Sequence, residues 1–452
     1  MKIHILGICG TFMGGIALLA RALGHEVSGS DANVYPPMST QLEGSGIRLH
    51  QGYSAASLQP APDMVIVGNV VSRGNPCVEY LLDRGLRYTS GPQWLSEQVL
   101  ADKHVLAVSG THGKTTTTSL LAWILDTAGQ NPGFLIGGMA ENFGLSARLG
   151  DSRYFVVEAD EYDTAFFDKR SKFIHYHPRT LIINNIEFDH ADIFHDIADI
   201  KREFHRLIRI LPATGRILHR FGDPQIQDVL AQGCWTPCQT FGINEGDWHL
   251  TNNSVDFSQF DVIFGEKRIR TVGWKLIGRH NAENALAAIA AAHHVGISPD
   301  LAAGALATFK SVKRRLEKLA EVAGITIYDD FAHHPTAIAV TLAALRTMTR
   351  EGERVIALFE PRSNTMKLGI HRETLAPAFE AADKVYIYQP RGLSWDMAAS
   401  LSGLGAKCKI YADTAGIIDS VQKQARSGDH VVIMSNGGFE GIHRRLIEAL
   451  EK

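Results

Sequence analysis

The stretch GTHGKTTTT, Gly110 to Thr118, sets two glycines, a lysine and a run of hydroxyl side chains between the apolar HVLAV and the helix-like SLLAWIL. A strand that leads into a glycine turn and then at once into a helix points free N–H groups and a positive helix end at an anion. In that setting Gly113 lets the backbone approach a phosphate, Lys114 reaches the β and γ oxygens, and the Thr115 hydroxyl holds magnesium. The expectation is a nucleoside triphosphate bound by Gly110, Thr111, His112, Gly113, Lys114, Thr115 and Thr116. Only Thr111 and His112 separate the glycines, where the usual phosphate loop has four residues.

A bound triphosphate needs metal ligands. Glu158 ends the apolar run Phe155 to Val157, which predicts a carboxylate at the C-terminal edge of a parallel strand, where such sheets bind ligands. Asp160, Glu161 and Asp163 follow it, and Asp189 and His190 follow the buried-strand pattern of LIINNIEF. A second glycine turn, ILGICGTFMGG, also follows a strand and opens a helix, with Asp31 ending the next strand. That is the outline of a dinucleotide fingerprint, but Cys9 stands where the second glycine belongs, and its Cβ would obstruct a pyrophosphate. A nucleotide-like ligand other than NAD is expected there.

These loops need sheets to position them. Short apolar runs alternating with helical segments predict parallel sheets covered by helices, and 452 residues fit two to four domains. The reading is α/β with three domains: residues 1–101 Rossmann-like, 102–311 a central P-loop ATPase, and 312–452 Rossmann-like. A formal net charge of −3 argues against a large basic surface for nucleic acid. Five scattered cysteines, Cys9, Cys77, Cys234, Cys238 and Cys408, predict no disulfide framework and a reducing cytoplasm. No apolar run approaches the roughly 20 residues of a membrane span, and the N-terminus has no signal-peptide pattern, so no membrane partner is expected.

With GTHGKTTT, VEADEYD, NNIEFDHAD, GRHNAENALAA, RRLE and YDDFAHHP spread over all three blocks, the chain resembles the Mur ligase family, ATP-dependent amide-forming enzymes of bacterial cell-wall synthesis. The family's phosphate loop has the same shortened spacing. The resemblance implies ATP and Mg2+, with Lys114, Glu158, His190, Arg315 and Asp330 in catalytic roles and Thr115, Glu158 and His190 around metal. It implies that His280, Asn281 and Asn284 meet ATP, and that Arg315 and Asp330 reach the nucleotide when the domains close. Gly7, Gly10, Thr11, Phe12, Met13, Asp31 and Ser72 would hold a UDP-sugar, and Arg362 and Asn364 a peptide.

The resemblance extends to further text, including SDANVYPPMST, FFDKRSKF and EPRSNTMK, and in that form implies UDP-N-acetylmuramate and the murein tripeptide L-alanyl-γ-D-glutamyl-meso-diaminopimelate as small-molecule substrates. A monomer or weak homodimer is expected. Two departures matter. His205 stands where several relatives carry a carbamoylated lysine, and Arg362 to Lys367 replace the His-Arg-Tyr pattern of the alanine-adding branch. The second departure favours the tripeptide over free L-alanine. The alternatives are that alanine-adding reaction, an NAD-dependent oxidoreductase and a non-catalytic nucleotide sensor.

Overall fold

The apolar run Lys2–Leu6 forms the middle strand of a five-stranded, wholly parallel sheet ordered Arg48–Gln51, Glu26–Asp31, Lys2–Leu6, Met64–Val67, Tyr88–Ser90. The structure, a computed structural model, describes residues 1–34 and 38–452. The Tyr-Pro-Pro centre of SDANVYPPMST therefore lies outside the described residues.

Helix Thr11–Ala22 turns Met13, Ile16, Ala17, Leu19 and Ala20 inward at helical spacing. Its glycines serve packing: a Cβ on Gly15 would overlap Leu135, and one on Gly14 would overlap Met38. The helix thus lies directly against strands Gly133–Ala140 and Leu145–Arg148 of the next sheet.

That second sheet has ten strands, in the order Lys267–Gly273, Gln259–Phe264, Trp248–Thr251, Cys238–Ile243, Arg216–Arg220, Thr180–Ile183, His104–Ser109, Tyr154–Glu158, Gly133–Ala140, Leu145–Arg148. The run from Trp248–Thr251 to Gly133–Ala140 is parallel, and antiparallel strands close both edges. Helices Lys114–Thr127 and Arg279–His294 pack together on one face, where the alanines of the second allow close approach. On the other face, Ile200, Phe204 and Leu207 of helix Ile197–Ile208 join Leu135, Val157 and residues of the first sheet in one buried cluster. The first two sheets share a core, which their separate strand patterns do not announce.

The third sheet runs Glu317–Val322, Ile325–Asp330, Asp429–Met434, Arg354–Phe359, Lys384–Tyr388, Cys408–Tyr411. Its first pair is an antiparallel hairpin and the rest is parallel, with an apolar cluster on each face. Val312 bridges back to Ala140 just before this sheet begins. Among the described residues no helix is long and apolar enough to cross a membrane.

Candidate active site

Strand His104–Ser109 delivers the chain to Gly110 at φ 125°, and Gly113 at φ 81° opens helix Lys114–Thr127. Both values lie in the left-handed region that favours glycine. The loop is pinned to the end of the neighbouring strand: Thr111 N–H donates to the Asn185 carbonyl at 3.2 Å, and His112 N–H donates to Asn185 Oδ1 at 2.8 Å. A Cβ on Gly113 would stand 2.5 Å from Asn284 Oδ1 and 2.9 Å from Asn184 Nδ2. The asparagine side chains thus crowd Gly113 directly.

Lys114 Nζ donates to the Gly110 carbonyl at 2.7 Å and to Glu161 Oε2 at 3.1 Å, with Asp160 Oδ1 at 3.6 Å. Burial works against its charge, but Glu161, Asp160 and Glu158 outweigh burial and hold its pKa above the ordinary lysine value. The ammonium is therefore fixed in the loop.

Thr115 Oγ1 donates to Glu158 Oε1 at 3.0 Å, and Gly137 N–H donates to Glu158 Oε2 at 2.6 Å. Burial and the neighbouring Asp160 push the Glu158 carboxyl up, against Lys114, the Gly137 hydrogen bond and Arg315. Glu161 reaches the other way, its Oε1 lying 3.6 Å from His190 Nε2. His190 sits at φ 55°, and its N–H donates to Asp189 Oδ1 at 2.7 Å. Thr115 Oγ1 and the Glu158 carboxylate together present hard oxygens of the kind Mg2+ takes, but Glu158, Asp160, Glu161 and His190 do not bring three ligand atoms within 4.8 Å of one another.

From the third sheet, Arg315 Nη2 donates to Thr115 Oγ1 at 2.9 Å. Asp330, at the end of strand Ile325–Asp330, accepts from the Leu316 and Ala332 N–H groups at 2.7 and 2.8 Å. Burial raises its pKa despite Arg315. His280, at the start of helix Arg279–His294, is held neutral by burial and by Arg315, its pKa lowered to about 4. Asn281 Nδ2 donates to the Ile277 carbonyl at 2.8 Å, and Asn184 Nδ2 contacts Asn284 Oδ1 at 3.5 Å.

A cavity of about 900 Å³ is lined by residues of all three sheets and their loops. Gly7, Gly10, Thr11, Phe12 and Met13 line it on one side, and Lys114, Thr115, Glu158, His190, His280, Asn281, Asn284, Arg315, Asp330 and Asn364 elsewhere. Four predicted residues stand apart from its lining, the first being Gly110, whose carbonyl accepts from Lys114 Nζ behind the loop. Asp31 is buried and spends its carboxylate on the N–H groups of Cys9 and Asn33, both at 2.9 Å, so it braces the turn. Ser72 is exposed. Arg362 is exposed too, lying over Gly437, where a Cβ would overlap its guanidinium. His205 is half-buried on helix Ile197–Ile208 and also outside the lining.

Several lining residues escaped the sequence reading: Lys172, Tyr162, Asn185, Glu187, His333 and Thr336. His334 escaped it as well, and its ligand-capable atom lies within 4.8 Å of those of His112 and Glu187. The double asparagine after an apolar strand was a usable signal. Lys172 lies in the FFDKRSKF segment that carries part of the resemblance, but nothing in that segment sets it apart from Lys169 and Arg170.

Residues 2–103 match the Mur ligase family catalytic domain, 108–292 the Mur ligase middle domain, and 314–437 the Mur ligase glutamate ligase domain. The chain is 54% identical to the UDP-N-acetylmuramate–L-alanyl-gamma-D-glutamyl-meso-2,6-diaminoheptandioate ligase of Escherichia coli (strain K12), across 100% of this chain and 99% of that protein. It is 34% identical to the UDP-N-acetylmuramate–L-alanine ligase of Methylocella silvestris, across 97% and 95% of the two chains. The crystal structure of a murein peptide ligase from Psychrobacter arcticus 273-4 superposes with a TM-score of 0.79 at 49% identity, covering 100% of this chain and 99% of that one.

Proposed function

The chain belongs to the Mur ligase family, and from that premise we propose that it joins L-alanyl-γ-D-glutamyl-meso-diaminopimelate to UDP-N-acetylmuramate at the expense of ATP, in the cytoplasm. The observation that carries the reading is the single cavity in which the first glycine turn, the phosphate loop and Arg315 with Asp330 all meet. An oxidoreductase has no use for the second and third of these. The proposed division of labour is sugar on residues 1–101, ATP on 102–311 and peptide on 312–452.

A lactyl carboxylate is a poor acylating agent and needs activation before an amine can displace oxygen from it. In the proposed first step it attacks the γ-phosphorus of ATP, giving an acyl phosphate and ADP. The N–H groups of Gly113 and Lys114 and the Lys114 ammonium hold the phosphates, in line with their position at the start of helix Lys114–Thr127. Arg315, half-buried and charged beside Thr115, stabilises charge on the transferring group. His280, neutral in the working range, offers the nucleotide hydrogen bonds and no charge.

Thr115, Glu158 and His190 would hold Mg2+, which supplies charge neutralisation on the phosphate oxygens. The peptide amine then attacks the acyl carbon, and the tetrahedral intermediate expels phosphate. Water competes for an acyl phosphate, so closure of the third sheet over the cavity has a chemical purpose. Asn364 and Arg362 are proposed to meet the peptide.

The test is phosphate release with ATP, Mg2+ and UDP-N-acetylmuramate, comparing the tripeptide with free L-alanine. The expected result is turnover with the tripeptide. Turnover with L-alanine alone would move the chain to the alanine-adding reaction, and no amine-dependent release at all would reject the ligase reading.

A further inference from the structure

Lys172 follows the hairpin Asp163–Ala165 and Asp168–Ser171 and opens a short turn, Lys172–Tyr176. The residue is 3% exposed, yet it lines the cavity. The ammonium lies between two aromatic faces, 4.1 Å from the Tyr162 ring centroid and 4.8 Å from that of Phe12. Phe12 belongs to the first glycine turn, whereas Tyr162 follows the Glu158 to Glu161 acids, so the cation stands at the seam between the first and second sheets. Its position is firm. Lys172 N–H donates to the Tyr162 carbonyl at 3.1 Å, Phe173 N–H to the Asp160 carbonyl at 3.3 Å, and the Phe173 ring beyond is fully buried.

Nothing described in the structure answers this charge at close range. Among the described residues no carboxylate lies within 4.0 Å of the Lys172 nitrogen, and the nitrogen makes no hydrogen bond. Lys114, in contrast, has both. Two ring faces attract a cation but accept none of its three N–H donors in the way an oxygen does. An ammonium taken out of water without an oxygen partner is costly, unless the partner arrives with a ligand. Burial accordingly lowers its pKa, against the more distant Asp160 and Asp163.

The ligands of this cavity are anions, and their sites divide the choice. The triphosphate has the phosphate loop, Lys114 and Arg315. The sugar acid enters from the side of Phe12, and its carboxylate has to be brought against the γ-phosphate despite like charge. We propose that Lys172 binds the carboxylate of the nucleotide-sugar acid and aims it at the γ-phosphorus. Residues Phe12 and Tyr162 then act as walls that keep the ammonium from water and from the neighbouring acids. The proposal rests on the ligase reading of the site.

The test compares UDP-N-acetylmuramate with UDP-N-acetylglucosamine, the same nucleotide sugar without the lactyl carboxylate, by calorimetric titration of the full chain. Lys172→Met is expected to weaken the first by roughly 10- to 100-fold, the size of one charge-assisted hydrogen bond, and the second by less than about 2-fold. Lys172→Arg is expected to restore part of the loss. The ATP KM is expected to stay within about 3-fold, and the melting temperature of Lys172→Met not to fall, since an unpaired buried charge has been removed. Equal losses for both sugars would overturn the proposal in favour of a packing role. A raised ATP KM with unchanged sugar binding would overturn it in favour of phosphate. If the wild-type protein releases no phosphate with any amine, the ligase reading fails, while the two-sugar comparison still reports on Lys172.

Discussion

Gly137→Ala separates the position of a carboxylate from the stability of the fold. Gly137 has no left-handed φ, so alanine suits its backbone. A Cβ there would stand 2.6 Å from Glu158 Oε2 and 2.8 Å from its Cδ, whereas ordinary contact begins near 3.4 Å. The carboxylate must retreat by about 0.8 Å, and the 2.6 Å bond from Gly137 N–H stretches with it. Because the obstructing atoms are the far end of one side chain, the fold relaxes cheaply, by less than about 1 kcal/mol. The chemistry does not share that tolerance. A misplacement near 1 Å costs catalysis about 100-fold, and weakening a charge-assisted hydrogen bond worth ~1.5–3 kcal/mol gives a similar range.

The expected outcome is a 10- to 100-fold fall in kcat, of the order those effects set, with a shifted Mg2+ dependence and a near-unchanged melting temperature. Phosphate release across a Mg2+ titration measures it. In a Glu158→Gln background the same substitution should add little, because its target is already disabled. Wild-type kcat and Mg2+ dependence in a folded Gly137→Ala protein would refute the reasoning, since Glu158 would then not need to sit where Gly137 allows.

Lys114→Ala should abolish ADP formation while sparing UDP-sugar binding, and unchanged turnover would reject the role given to Lys114. Arg362→Ala should raise the tripeptide KM by roughly 10-fold with little effect on the ATP KM, the loss expected for one charged contact; equal effects on both would place Arg362 outside the peptide site. His4 lies between Ser28 Oγ and Ser30 Oγ, each 2.9 Å from a ring nitrogen, and burial followed by His50 lowers its pKa to about 4. Below about pH 6.5 the unfolded chain binds this proton and the folded chain does not, so stability falls as pH drops from about 6.5 towards 4, by up to about 3 kcal/mol. Melting curves should accordingly show the gap between wild type and His4→Gln narrowing between pH 7.5 and 4.5; a constant gap would show that His4 does not titrate in this way.

The phosphate loop was legible because its chemistry is local: strand, glycines, lysine and threonine are contiguous, and the helix begins at Lys114 as their order demands. Glu158 was legible for a related reason, since its apolar run ends at the edge of strand Tyr154–Glu158, whereas Asp189 lies in the loop beyond strand Thr180–Ile183. Glycines were harder. Gly14 and Gly15 look like ligand glycines in the sequence, but they make room for Met38 and Leu135, and only the second sheet reveals the need. Asp31 has the spacing of a ribose reader, yet the Cys9 N–H claims it. Lys172 was illegible because burial is a property of what packs over a residue, and its cover comes from Phe12, 160 positions earlier in the chain.

The contacts from the third sheet explain how closure can follow from what the cavity holds. Thr365 Oγ1 donates to Asp189 Oδ1 at 2.8 Å, the oxygen that also receives the His190 N–H, and Asn364 Nδ2 donates to Asp192 at 2.9 Å. Thr336 Oγ1 donates to Glu187 at 2.6 Å. All three land on the loop that carries His190, so the third domain grips that histidine, proposed above to face Mg2+, through its neighbours. Arg315 makes a different attachment. Thr115 gives its one proton to Glu158 and accepts from Arg315 on one of its two lone pairs, so under the proposed reading the second would be left for Mg2+ with the guanidinium still in place. Arg315 is half-buried, and its desolvation works against Asp330 and Glu158, so under the proposed reading phosphate oxygens held by the loop would add the anionic partner that the guanidinium favours. The arginine then favours the closed arrangement more when the triphosphate is present than when it is absent, which is the differential contact any ligand-driven closure requires.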